Sequence, residues 1–208
     1  MEVTSSVVSS KNKQLAITGA FSALIILMGI PGLHLGYISI SPVIAFTIMH
    51  IPVLLAAFLA GLPGGLVTGL VFGLTSLVNA ASSPTGVLDP FFVNPLCSVV
   101  PRMLFGTVAW ALFSVLNLIP KMPKIVSATI TAFLATLCHT VLVIGSMYLF
   151  LNAKMLAAMD GKGFAVLLGV LIPGATMEAI AAVIVCTAVV GTIFVSSKRK
   201  PKIFSEKD

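Results

Sequence analysis

Arg102, His139 and Glu178 place charged or proton-binding chemistry inside long apolar runs of this 208-residue sequence. In hydrocarbon such groups are expensive, and they normally face protein, one another or a wet cavity. Arg102 follows Pro101, and its rigid fork of donors suits a carboxylate. It also has blander uses, as a cation snorkelling to an interface or as a partner for Asp89 that holds a loop. Glu178 lies midway along "IPGATMEAIAAVIV", one turn after Pro173 and Gly174, where a bend would expose it to a cavity. It would accept hydrogen bonds from a solute or carry a proton; a buried pair or a protonated structural carboxyl is an equal reading. His139, in "ATLCHTVLVIGSMY", has a similar depth, where a lone histidine more often hydrogen-bonds between helices than binds metal. Asn79 and Asn94 would read amides or hydroxyls, although Asn more often caps a helix or forms a turn.

Other chemistry is missing. No H-x-x-x-H or H-E-x-x-H spacing supports a metal, and no P-loop supports ATP hydrolysis. No G-x-S-x-G nucleophile turn occurs, so an enzyme reading has little to stand on and no cofactor is implied. Cys97, Cys138 and Cys186 are an odd number scattered through apolar sequence and suggest no disulfide framework.

The elements that must position these residues are membrane helices. The chain is 58% hydrophobic and 9% charged, against about 25% charged in a soluble domain. Runs of about 20 apolar residues are enough to cross a bilayer. Apolar runs and breakers predict six of them, over about 14–30, 40–60, 64–80, 99–119, 125–151 and 164–195. The fold class is therefore an all-α integral membrane protein, a bundle of six transmembrane helices in one domain over 1–208. Pro42 and Pro52 should kink the second helix. The first run lacks a small-residue cleavage site and reads as a retained helix. Basic residues gather in the segment 1–13, at Lys121 and Lys124, and in the tail 196–208. Alternate threading puts these on one side, which makes both termini cytoplasmic in a multi-pass protein of the cell membrane. This distribution is nothing like a nucleic-acid surface.

On that threading, "DPFFVNPLCSVVPR" (89–102) joins the third and fourth helices on the outer side. Pro90, Pro95 and Pro101 would stiffen it, Phe91 and Phe92 would give apolar cover, and Asn94 and Arg102 would offer polar contacts. His34 and Tyr37, in the first outer connection, would form a second rim. Small residues are patterned as well. Ala16 and Ala20, with Gly19 and Ala23, make small-x-x-x-small pairs on the first helix, where a partner is a serious alternative to internal packing. Gly61, Gly65, Gly69 and Gly73 form a ladder better read as internal packing.

These features, with "HIPVLLAAFLAGLPGGLVTGLVFGLTSLVNA" leading into "DPFFVNPLCSVVPRMLFG", resemble the substrate-binding S components of energy-coupling-factor (ECF) vitamin transporters. The resemblance covers almost the whole chain, and 50–106 is most similar to the pantothenate branch. It implies capture of a vitamin at the outer face, association with a membrane coupling subunit and two ATP-binding subunits, and delivery by reorientation in the bilayer. It also implies that Ala16 and Ala20 meet the coupling subunit. The expected pocket is roofed by 81–98 and lined by Asn79, Phe91, Phe92, Asn94, Arg102, His139 and Glu178. Arg102 with Asn94 fits pantothenate, a small acid with hydroxyls and an amide; cobalamin and folate stay open. From other classes, a self-sufficient proton-coupled carrier using Glu178 and His139, and a structural subunit that binds no solute, are the competing readings.

Overall fold

A computed structural model describes residues 2–31, 33, 35–39, 45–84, 89–158 and 163–198. Among them run α1 (Glu2–Met28), β1 (Tyr37–Ser39), β2 (Ala45–Thr47), α2 (His50–Ser82), α3 (Pro95–Leu116), α4 (Lys124–Ala158) and α5 (Gly163–Lys198), with a 3₁₀ turn over Asp89–Val93. Four stretches are long and apolar enough to cross a membrane: His50–Ser82, Pro95–Leu116, Lys124–Phe150 and Ile172–Ile193. An all-α membrane protein fits this architecture. Among the described residues five helices are assigned, and the second of them, α2, contains a non-helical Gly61 that divides it into two arms.

The expectation fails at the start of the second helix and holds at the break that follows it. Residues 45–47, expected in the second helix, instead pair as β2 antiparallel to β1, with Tyr37 opposite Thr47 and Ile38 opposite Phe46. Aromatic and β-branched residues suit such a ladder. α2 therefore starts only at His50, with Pro52 in its first turn, where a missing N–H breaks no helical bond. Further on, "GLPGG" turns the chain inside α2: Gly61 adopts φ 73° and ψ −159°, and Pro63 opens the following turn. A positive φ of this kind is natural for glycine and strained for other residues. The two arms fold back side by side. A Cβ placed on Gly64 would lie 2.6 Å from the carbonyl oxygen of Ala56, whereas a straight helix would hold residues that far apart by about 12 Å. The first arm, 50–60, is about 16 Å long at about 1.5 Å per residue, short of the roughly 20 residues a full crossing needs.

The second arm of α2 packs closely on α3. A Cβ on Gly69 would stand 2.5 Å from the Arg102 carbonyl, one on Gly73 2.6 Å from the Val99 Cα, and one on Gly106 would run into the Gly65 carbonyl. Three members of the glycine ladder, Gly65, Gly69 and Gly73, thus form an internal seam, and the fourth, Gly61, makes the turn. α4 and α5 are tied by a hydroxyl pair, Thr129 Oγ1 to Thr187 Oγ1 at 2.7 Å. Phe72, Phe105, Met49 and Leu54 fill the centre of the bundle. The hairpin is strapped to the end of α1 by Gly36 N–H to the Met28 carbonyl (2.9 Å) and extended by Ile48 N–H to the Gly36 carbonyl (3.0 Å). His34 and the tail from 199 onward lie outside the described residues.

Candidate functional site

The local sequence around Arg102 explains its position. Asn94 caps α3, its Oδ1 accepting from Leu96 N–H at 3.0 Å, and Pro95 takes the first helical position. That is the usual order of a helix start. Pro101 lies inside α3 and has no N–H to give to the Cys97 carbonyl one turn back. The Arg102 guanidinium supplies the missing donor, Nη1 to the Cys97 oxygen at 2.6 Å. The Pro-Arg pair therefore carries a cation into the bundle and fixes one corner of it. The guanidinium carbon stands 4.5 Å from the Phe92 ring centroid and 5.6 Å from that of Phe72, within cation–π range.

Three other elements bring polar groups to the same place. The first turn of α2 contributes His50, whose Nδ1 lies 2.8 Å from the Thr47 carbonyl. A carbonyl only accepts, so Nδ1 carries the proton. α4 contributes His139, whose ring centroid is 4.8 Å from Phe105, 5.9 Å from Phe72 and 6.4 Å from His50. α5 contributes Glu178, whose Oε1 accepts the Thr47 backbone N–H at 2.8 Å and thereby latches the hairpin to the last helix. Glu178 and Tyr37 are both within electrostatic reach of Arg102. Tyr37 is hydrogen-bonded to Ser76; burial pushes its phenol above the usual range, against Ser76 and Arg102, which pull it down.

His50 is 0%, His139 4% and Arg102 5% exposed, yet His50 Nε2, Arg102 Nε and both ring nitrogens of His139 have no hydrogen-bond partner. Only two other buried side-chain atoms share that state among the described residues, Ser22 Oγ and Thr131 Oγ1. Each unsatisfied buried group costs about 1–3 kcal/mol. Four of them together, on three helices, mark this corner of the bundle as the candidate site. The same described residues hold no group of three His, Cys, Asp or Glu suited to a metal. The site offers a cation, a carboxylate and two imidazoles between aromatic rings, which is binding chemistry without a positioned nucleophile.

Residues 13–190 match the family described as "ECF transporter, substrate-specific component". The chain belongs to that family. Such S components are substrate-binding subunits of transporters, not enzymes, and ATP hydrolysis sits in partner subunits. Over 110 residues this S component is 36% identical to the "Pantothenate transporter PanT" of Leuconostoc mesenteroides subsp. mesenteroides. The match covers 51% of this chain and 53% of that protein, so the chain spans about half the length of the curated relative it matches.

In this S component the expected site residues divide into two sets. Arg102, Phe92, His139 and Glu178 converge. Asn79 and Asn94 are committed elsewhere: Asn79 Nδ2 donates to the Gly29 carbonyl at 2.5 Å and to the Thr75 carbonyl at 3.0 Å, while Asn94 is the α3 cap. Phe91 is buried in the 3₁₀ turn, and its carbonyl accepts from Asn94 N–H at 3.4 Å. Ala16 and Ala20 are exposed on α1, with open space around Gly19 between them. Sequence reasoning did not assign His50, Thr47, Phe72 or Phe105 to the site. His50 had a signal, an imidazole between apolar residues, but a continuous helix from 40 placed it mid-span instead of beside a hairpin.

Proposed function

We propose that this S component captures pantothenate at the outer face of the membrane and delivers it through an ATP-driven coupling module. Arg102 carries the reading: a guanidinium sunk in an apolar bundle, its Nε unpartnered and its faces against Phe72 and Phe92. A bound carboxylate would gain charge-assisted hydrogen bonds there and offset the burial of the cation. Pantothenate supplies that carboxylate, and its amide and hydroxyls suit the polar atoms alongside. The partial identity to the pantothenate transporter PanT points to the same solute.

The pocket lies toward the Pro95 end of α3, and Lys121 and Lys124 lie beyond the other end. By the positive-inside rule those lysines, with both termini, take the cytoplasmic side, so the pocket opens outward. The module would comprise a membrane coupling subunit and two ATP-binding subunits, met through Ala16 and Ala20. Delivery is then a population shift, with solute and partners favouring different orientations of the bundle.

Calorimetry on the purified full chain with pantothenate, cobalamin, folate, riboflavin and thiamine tests the reading. Saturable binding of pantothenate alone is expected. Saturable binding of another vitamin instead, by a folded sample, would transfer the assignment to that solute.

A further inference from the structure

We propose that the imidazole pair of His50 and His139 forms a second recognition point in the pocket, one that reads a hydroxyl of the solute independently of the carboxylate at Arg102. This rests on the reading of the site as a solute pocket and adds the chemistry that discriminates among carboxylic acids.

The argument starts from what each nitrogen is free to do. His50 Nδ1 is committed as a donor to the Thr47 carbonyl. In the neutral ring Nε2 is then a bare acceptor, fully buried and without a partner. The backbone of Glu178 interacts with the same ring, and Nε2 closes no hydrogen bond within the chain. The Glu178 carboxylate on that helix is another acceptor, and one of its oxygens already takes the Thr47 N–H. A ligand entering this corner is asked for hydrogen-bond donors. His139 has the complementary freedom, because a neutral imidazole with neither nitrogen engaged offers one donor and one acceptor. Its ring is held in place by packing against Phe105 and Phe72 and is 17° from parallel with His50. Phe72 touches both His139 and the Arg102 guanidinium, so one apolar wall joins the two recognition points. Arg102 and His50 are the charged or titratable groups that act on His139 from α3 and α2.

The His139 ring packs against its neighbours, but its nitrogens serve no bond within the chain and add nothing to stability. Filling its volume with a phenyl ring removes two unsatisfied polar atoms, so His139→Phe should leave the ligand-free protein as stable as wild type or more so. His50→Asn is the second variant, because the asparagine amide nitrogen overlays imidazole Nδ1 and keeps the Thr47 bond while removing the Nε2 acceptor.

The experiment is calorimetry of the full chain in detergent with two probes: pantothenate, and its analogue in which both hydroxyls are replaced by hydrogen. Wild type should prefer pantothenate by about 10- to 100-fold. Each variant should bring that ratio to within about threefold, with the melting temperature of ligand-free His139→Phe unchanged or raised. Folded variants that keep the wild-type ratio would overturn the imidazole proposal and leave the pocket reading intact. Failure of folded wild type to bind pantothenate would remove the solute assignment and this inference with it. Collapse of both variants would make the pair structural and equally overturn the proposal.

Discussion

The α2–α3 seam and the polar pocket meet at one residue and obey opposite rules. In the seam, glycine lets two backbones touch: Gly65 faces Gly106, Gly69 faces the Arg102 carbonyl, and Gly73 faces Val99. Polar atoms there are closed locally, as with Thr68 Oγ1 on the Gly64 carbonyl at 2.6 Å. At the polar site the contacts are between rings, as with Phe105 and His139, and four buried polar atoms stay unsatisfied. Arg102 takes part in both, its backbone in the seam and its guanidinium in the pocket. The contrast teaches that the tightly packed half aims the unsatisfied half, which is how a site keeps its geometry without its ligand.

The sharpest way to break the comparison is in the seam. Gly106→Ala puts a methyl group into the Gly65 carbonyl, with helix backbone on both sides and no flexible side chain to give way. Overpacking of this kind should cost about 3 kcal/mol. Thermal unfolding in detergent should reveal it, and solute binding should fall with the folded fraction. A wild-type melting temperature would mean that the seam is looser than its geometry. Next comes Arg102→Gln, where the two halves should separate. Pantothenate affinity should drop about 100-fold, in line with the loss of a buried charge pair, while stability falls by about 1 kcal/mol from the freed Cys97 carbonyl. Unchanged affinity in a folded variant would end the carboxylate role of Arg102.

How much of this was legible in the sequence follows the same division. The seam was visible because its cause is periodic: Gly65, Gly69 and Gly73 at four-residue spacing define a face whatever lies opposite, while Gly61, in the same register, makes the turn. The Pro-Arg step was visible as an anomaly of charge, and the convergence of Arg102, His139 and Glu178 followed from the expense of such groups in hydrocarbon. The hairpin was not visible, because "YIS" and "AFT" are each three residues long and too short for a period-2 pattern to stand out in an apolar stretch. That single miss displaced His50 and hid Thr47, whose site role is made by backbone atoms and so leaves no mark on residue type. Asn79 and Asn94 were ambiguous because one amide can serve a solute, a cap or a neighbouring carbonyl, and only geometry separates these uses.

Those two asparagines sharpen the comparison with smaller effects. Asn94→Ala removes the α3 cap and should cost about 1 kcal/mol of stability. Asn79→Ala removes the strut to the Gly29 carbonyl between α2 and the end of α1, with a similar cost of about 1 kcal/mol. In both, pantothenate affinity measured on the folded protein should stay within about threefold of wild type. A large loss of affinity without a loss of stability would return that asparagine to the pocket.

The smallest effect on the isolated chain is expected on α1, whose small residues look superficially like those of the seam. Ala16, Ala20 and Ala23 are exposed, and a Cβ on Gly19 would meet nothing within 4 Å. Here smallness satisfies no contact inside the chain, so Ala20→Phe should change stability by no more than about 0.5 kcal/mol. Helices approach closely in membranes through such faces, and a bulky ring would hold a partner away. Co-purification of the variant with the membrane coupling subunit should therefore fail while its pantothenate affinity, measured alone, is unchanged. Retained co-purification would place the partner on another helix. Loss of stability in the isolated variant would show α1 to be packed like the seam after all, and the distinction between a face closed by glycine and a face left open for a partner would fall.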